Sequence, residues 1–217
     1  MNNIEYGYKI TTDPRFLDEQ NAITPELSSK LEGFHQLSMG GKKASIKKLL
    51  AAIEKNPNNP QLKNYLSALY SQLGDEEKAF STNKWIISEH PNYLFGKLNI
   101  ANEYFVKKEF DKMPEVLGKE MELQFLYPER DTFHINEVLA FSICALRYFV
   151  ATDNSEQAEI RYELMQELAP DSIETENALN YLLILRMKAA QEWFAEIEEN
   201  SIKVETKQQE ITNTRSA

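Results

Sequence analysis

The sequence predicts an all-α chain built from repeated pairs of amphipathic helices. Three observations predict it. Pro57 and Pro91 stand 34 residues apart in the similar strings IEKNPNN and ISEHPNY, and each closes an amphipathic run. Between them apolar residues recur at three- and four-residue spacing, through Leu66, Leu69, Tyr70 and Leu73, then Ala79, Phe80 and Ile86, which marks helices with one buried face. Only seven glycines and eight prolines punctuate 217 residues, where average usage of about 7% would place roughly 15 glycines.

Element by element, the chain divides into residues 1–23 as an N-terminal extended arm, 24–200 as a helical repeat domain and 201–217 as a polar C-terminal tail. In the arm, Ile4, Tyr6, Tyr8 and Ile10 alternate with polar residues at a period of two, as in a strand or an extended segment. A flexible tail with scattered aromatics is the plainer alternative. Residues 26–59 hold one helix pair, with Gly33, a turn at Gly41, and Leu50 and Ile53 facing inward. In 60–93 the first helix ends at Gly74-Asp75, where glycine supplies a left-handed cap and aspartate a fresh N-cap. Residues 94–127 repeat the first helix through Ile100, Ala101 and Tyr104. Their second helix decays where Met113, Pro114 and Gly118 intervene, since proline is tolerated only in a helix's first turn. A fourth pair starts near Val138, carries one extra residue at Asp153-Asn154-Ser155, and closes at Pro170. Asp171-Ser172-Ile173-Glu174 then reads as a capping-box-like start of a final helix. Its expected core stripe is Leu179, Leu182, Leu183, Met187, Ala190, Phe194 and Ile197, and residues 201–217 are expected to fray.

This pattern resembles the tetratricopeptide repeat (TPR) family over about residues 24–171, most fully in 60–93. There Leu66, Tyr70, Ala79 and Pro91 fall at the family's positions seven, eleven, twenty and last, while Lys63 replaces the usual tryptophan and Ser67 the small residue at position eight. The resemblance implies a right-handed superhelical solenoid of about four helix pairs plus a C-terminal capping helix, whose first helices line a concave peptide-binding groove. It places Asn64, Tyr65, Phe95, Leu98, Asn99, Asn102 and Phe105 among the peptide-binding residues. An asparagine amide offers both a donor and an acceptor to an extended backbone, although ordinary solvated surface explains these residues as well. The basic residues that some relatives use to clamp a C-terminal carboxylate are not matched. Phe95 and Asn99 stand at the basic positions and Asn64 where lysine is needed, and only Lys30 fits. Phe95, Leu98, Phe105 and Val106 predict instead an apolar groove centre, or else core between repeats. The arm is expected to dock on this groove and occlude it.

Thirty-four acids against twenty-four bases leave a formal charge of −10, a field that repels phosphate backbones and anionic lipid. Nucleic acid and membrane are therefore not expected partners, and a protein or peptide is. The apolar runs are short and the first residues carry no signal-peptide pattern, so a cytoplasmic protein is expected. Charge is uneven: residues 26–59 carry net +3, with Lys42, Lys43, Lys47 and Lys48 clustered, and residues 153–200 carry net −9. Self-association through this asymmetry is one reading, and a solvated face the other.

Catalysis finds no foothold. His35, His90 and His134 lie far apart, and His134 with Glu137 reads as a surface pair. Cys144, in an apolar helical run, reads as a buried inert thiol. No phosphate-binding or nucleophile motif is found, so no enzyme activity, cofactor or metal is expected. The function expected is that of a protein-interaction adaptor. The alternatives are a dedicated chaperone for a secreted or assembling client, or a structural subunit.

Overall fold

Capping side chains and left-handed turn residues set most of the element boundaries. The computed structural model describes residues 7–215, with side chains for 7–198 other than that of Glu19. Ile4 and Tyr6 of the alternating arm, and the side chains of the expected tail, lie outside the described residues. The described part of the arm holds a short strand, β1 (Lys9–Thr11), followed by a helix, α1 (Pro14–Gln20), whose first turn is capped by Asp13. Among the described arm residues the strand is thus confined to Lys9–Thr11, because the Asp13-Pro14 pair nucleates a helix that the alternation does not foreshadow.

The first two helix pairs follow the expected boundaries. Thr24 caps α2 (Pro25–Met39), Gly41 turns the chain at φ +57°, and α3 (Lys43–Lys55) returns. The Asn59 side chain caps α4 (Pro60–Gln72) by accepting from the Leu62 amide at 2.9 Å. Gly74 adopts φ +72°, and Asp75 accepts from the Lys78 amide to start α5 (Glu76–Glu89). Leu50, expected to face inward, is 44% exposed, whereas Leu49 is fully buried.

Helix α6 (Leu94–Val106) is followed by the expected decay: a 3₁₀ turn at Phe110–Lys112, then the short helices α7 (Met113–Leu117) and α8 (Leu123–Leu126). A strand absent from the sequence reading, β2 (Thr132–His134), pairs in parallel with β1, with Ile10 opposite Phe133. His134 then caps α9 (Ile135–Ala151) in a capping box with Glu137. Glu137 is 3% exposed and clasped by Arg130, at 3.1 and 2.7 Å, so the expected surface pair is a buried one. Asp153, the extra residue, takes φ +56° before α10 (Ser155–Leu168).

The last helix, α11 (Ile173–Arg215), is capped by Ser172, which accepts from the Thr175 amide at 3.1 Å. Its backbone remains helical to Arg215 instead of ending near residue 200. Its buried face also differs from the expected stripe: Thr175, Ala178, Leu182 and Leu185 pack inward, while Leu183, Met187, Phe194 and Ile197 are exposed. The core beneath α11 comes from α9 and α10, which it meets only along its first four turns.

Each pair packs face to face, α4 on α5 and α9 on α10, and the first helices of successive pairs also touch: α2 on α4, α4 on α6, α6 on α9, α9 on α11. Two apolar cores result. One joins α2, α3 and α4 around Leu27, Leu49, Leu62 and Leu69; the other runs from Leu94 in α6 through Phe133 and Phe141 to Leu185 in α11. Among the described residues, no helix is long and apolar enough to cross a membrane.

Candidate functional site

Two of the three asparagines singled out in the sequence, Asn64 and Asn99, meet, and Asn83 joins them from a third helix. Asn99 of α6 donates to Asn64 Oδ1 of α4 at 2.6 Å and to Asn83 Oδ1 of α5 at 3.1 Å. Asn83 is buried, so the cluster is anchored from below. Both donors of the Asn99 amide are used, while the amide nitrogen of Asn64 and the carbonyl oxygen of Asn99 have no partner among the described residues. One donor and one acceptor thus stay on offer at a half-buried surface, which is the pairing a peptide group needs.

Tyr65 lies one residue on along α4. Its hydroxyl accepts from Gln61 at 2.7 Å and its ring lies 5.6 Å from that of His35. Burial raises its pKa above the ordinary tyrosine value, so it stays a neutral phenol. Phe95, at the start of α6, is half-buried against Tyr93, with ring centroids 5.7 Å apart. Asn64, Tyr65 and Phe95, with Gln61, form one side of a cavity of about 340 Å³. Pro14, Leu17, Asp18, Asn21 and Ile23 of the arm form another, and His134 and Asn136 of the α9 entry complete it. A neighbouring cavity of about 330 Å³ shares Asn21, Tyr93 and Phe95 and adds His90, Arg130 and Glu137.

The remaining expected residues divide. Leu98 is 8% exposed and belongs to the core between helices, so its side chain is spent on packing. Of the two readings the sequence left open for it, groove centre or core between repeats, Leu98 takes the second. Asn102 is exposed and accepts from Arg147 Nη1 of α9 at 2.7 Å. Phe105 supports the same guanidinium, 4.0 Å from its ring centroid, and meets Tyr181 of α11 edge-on. Asn102 and Phe105 therefore form a second cluster, with Arg147 and Tyr181. Val106 is 69% exposed at the end of α6.

Arg147 has no carboxylate partner among the described residues, and its stacking on Phe105 holds the guanidinium plane in place. Nothing in the sequence ties Arg147 to Asn102, since the two are 45 residues apart. Cys144, one helical turn earlier, is buried, and burial pushes its thiol up to about 12. The four lysines at 42, 43, 47 and 48 are all exposed. Among the described residues, no group of three or more His, Cys, Asp and Glu is placed to hold a metal ion. Comparison with family models, with curated proteins and with solved structures finds no match to this chain.

Proposed function

We propose that this chain is a TPR-like adaptor: a right-handed superhelix of four helix pairs and a capping helix that holds a protein or peptide segment against its first-helix face. Touching first helices, α2 to α4 to α6 to α9 to α11, support the superhelical reading, as do the starts of α2, α4 and α6 at Pro25, Pro60 and Leu94, which are 35 and 34 residues apart, whereas α9 starts 41 residues after α6. The observation that carries the functional reading is that this face already holds polypeptide. Arm residues 14–23 close the cavity lined by Gln61, Asn64, Tyr65 and Phe95. The Asn59 amide donates to the Asn21 backbone carbonyl at 2.8 Å, the kind of contact through which an asparagine grips a main chain.

On this reading the arm is a resident occupant that an incoming segment displaces. The ligand is extended, with apolar side chains for Tyr65 and Phe95 and main-chain amides for Asn64 and Asn99. The acidic field disfavours nucleic acid and anionic membranes. The test is an affinity pull-down with the full chain, a variant lacking residues 1–22, and Asn64→Ala/Phe95→Ala. Bound proteins should be enriched by the deletion and lost with the double substitution. Recovery of the same proteins in the same amounts from all three would exclude this face as the binding site.

A further inference from the structure

Arg147 is the exception among the arginines whose side chains are described. Arg15, Arg130, Arg161 and Arg186 each close on a carboxylate, that of Asp13, Glu137, Glu122 and Glu159 respectively. Arg147 pairs with none, although the chain carries 34 acids. It is nonetheless held in one place. Its guanidinium carbon lies 4.0 Å from the Phe105 ring centroid and 5.3 Å from that of Tyr181, and the two rings meet edge-on. Its Nη1 donates to Asn102 Oδ1 at 2.7 Å, and its Nε is buried. Side chains from α6, α9 and α11 thus fix a half-buried planar cation with no counter-charge among the described residues.

What this cluster leaves open is donors. Arg147 Nη2 has no partner among the described residues, and neither has the amide nitrogen of Asn102, whose oxygen is engaged by Nη1. Asn102 lies one helical turn beyond Asn99 on α6, so the two asparagines share a face of that helix. Asn64 and Asn99 offer one donor and one acceptor, as a peptide group requires. Asn102 and Arg147 offer two donors beside a positive charge, as the two oxygens of a carboxylate require.

We propose that Asn102 and Arg147 bind the side-chain carboxylate of an Asp or Glu in the segment that the first-helix face receives. This rests on the adaptor reading for the source of the carboxylate, but not for the site itself. A side chain is favoured over a chain terminus because the first helices continue past Arg147 to Tyr181 of α11, so a segment lying along them does not end there. One guanidinium matches the single charge of a carboxylate, whereas a phosphate carries nearly two.

The site is tested on the full isotope-labelled chain through the nuclear magnetic resonance signal of Arg147 Nε–H, which burial protects from exchange and which Arg147→Lys identifies by removing it. The probe is N-acetylglutamate N-methylamide. It should shift this signal saturably, with a midpoint on the order of 10 mM, the scale of one isolated charge-assisted pair. The Nε–H signals of the four carboxylate-paired arginines should stay in place. N-acetylglutamine N-methylamide, of the same shape without the charge, should shift nothing. No saturable shift up to about 100 mM, or an equal shift with the glutamine probe or with sodium chloride at the same ionic strength, would overturn the site. Tighter binding of N-acetylglycine, which offers only a terminal carboxylate, or of inorganic phosphate would overturn the choice of an acidic side chain. In the pull-down, Arg147→Gln should lower recovery of the bound proteins roughly tenfold, with unchanged far-ultraviolet circular dichroism. Recovery untouched by Arg147→Gln but lost with Asn64→Ala/Phe95→Ala would overturn the assignment to the bound segment and keep the adaptor reading. A saturable shift with recovery indifferent to both variants would do the reverse, keeping the carboxylate site and overturning the adaptor reading.

Discussion

Lys63 occupies a point in α4 where the TPR family, which this chain resembles in sequence, usually carries tryptophan, and its long side chain fills that volume. It is 1% exposed, and its ammonium donates to the Pro57 carbonyl at 2.9 Å, to Glu89 at 2.5 Å and to His90 Nε2 at 2.6 Å, beside the Trp85 ring. A lysine has no acceptor, so His90 Nε2 must accept, and the neutral ring carries its proton on Nδ1. Lys63→Ala should cost about 3 kcal/mol through its buried methylenes, and Lys63→Met should recover most of that, by urea denaturation. Glu89→Ala should destabilise more than Lys63→Met, because it strands a buried ammonium without its counter-charge. Burial, and then the Lys63 charge, hold the His90 pKa below its usual 6.5, against a weaker opposite pull from Glu89. In the window just below 6.5 the unfolded chain therefore binds a proton that the folded chain refuses. Stability should fall as pH drops through that window, and His90→Asn should flatten the slope in pH-dependent melts.

Among the elements, turns were the most legible in sequence. Gly74 and Gly118 both take positive φ with open space around the position of a Cβ, so an alanine at either would pay for backbone conformation alone. Gly74, in the left-handed helical region, should lose about 1 kcal/mol on Gly74→Ala. Gly118, at φ +83° and ψ 151°, lies in a region open essentially to glycine, and Gly118→Ala should lose about 2 kcal/mol. Equal losses in denaturant melts would contradict this difference. What holds the decayed segment after α6 was not legible. Arg161 of α10 is 4% exposed and donates to the Met121 carbonyl at 2.7 Å and to Glu122, tying α10 to the link between α7 and α8. Arg161→Ala should cost about 3 kcal/mol by urea denaturation, since it leaves a buried carbonyl unpaired. Met121 and Glu122 lie about 40 residues from Arg161, and no local pattern marks a partner at that range.

At the scale of the molecule, contacts run mainly between neighbouring helices and the apolar interior is divided into two cores. Leu49 is fully buried in the first. Leu49→Ala, which removes about 3 kcal/mol of packing, should therefore speed amide exchange in α2, α3 and α4 while leaving α9 and α10 protected. Uniform loss of protection would mean that the two cores unfold as one. The arm bridges this division. β1 pairs with β2, which enters the second core through Phe133, while Asn21 is held by Asn59 at the edge of the first. A parallel strand pair between residues about 120 apart is a tertiary event, and the alternation around Tyr8 and Ile10 indicated only that a partner was sought.

Local chemistry by itself determined the helical class, the pair boundaries and the turn at Gly74, because helix periodicity, caps and left-handed glycines act within a few residues. The resemblance to the TPR family, not local chemistry, pointed to Asn64, Tyr65 and Phe95, which share a cavity, and to Asn99, which is bonded to Asn64. Only the tertiary structure decided the rest. It sent Leu98 into the core, buried Lys63 and Glu137, paired the arm with β2 and exposed most of the α11 stripe. Each of these depends on which surfaces meet across tens of residues, and an amphipathic pattern says that a face needs a partner without saying where the partner stops. Along α11 the helices beneath run out after Leu185, and the same apolar spacing passes from core to open surface.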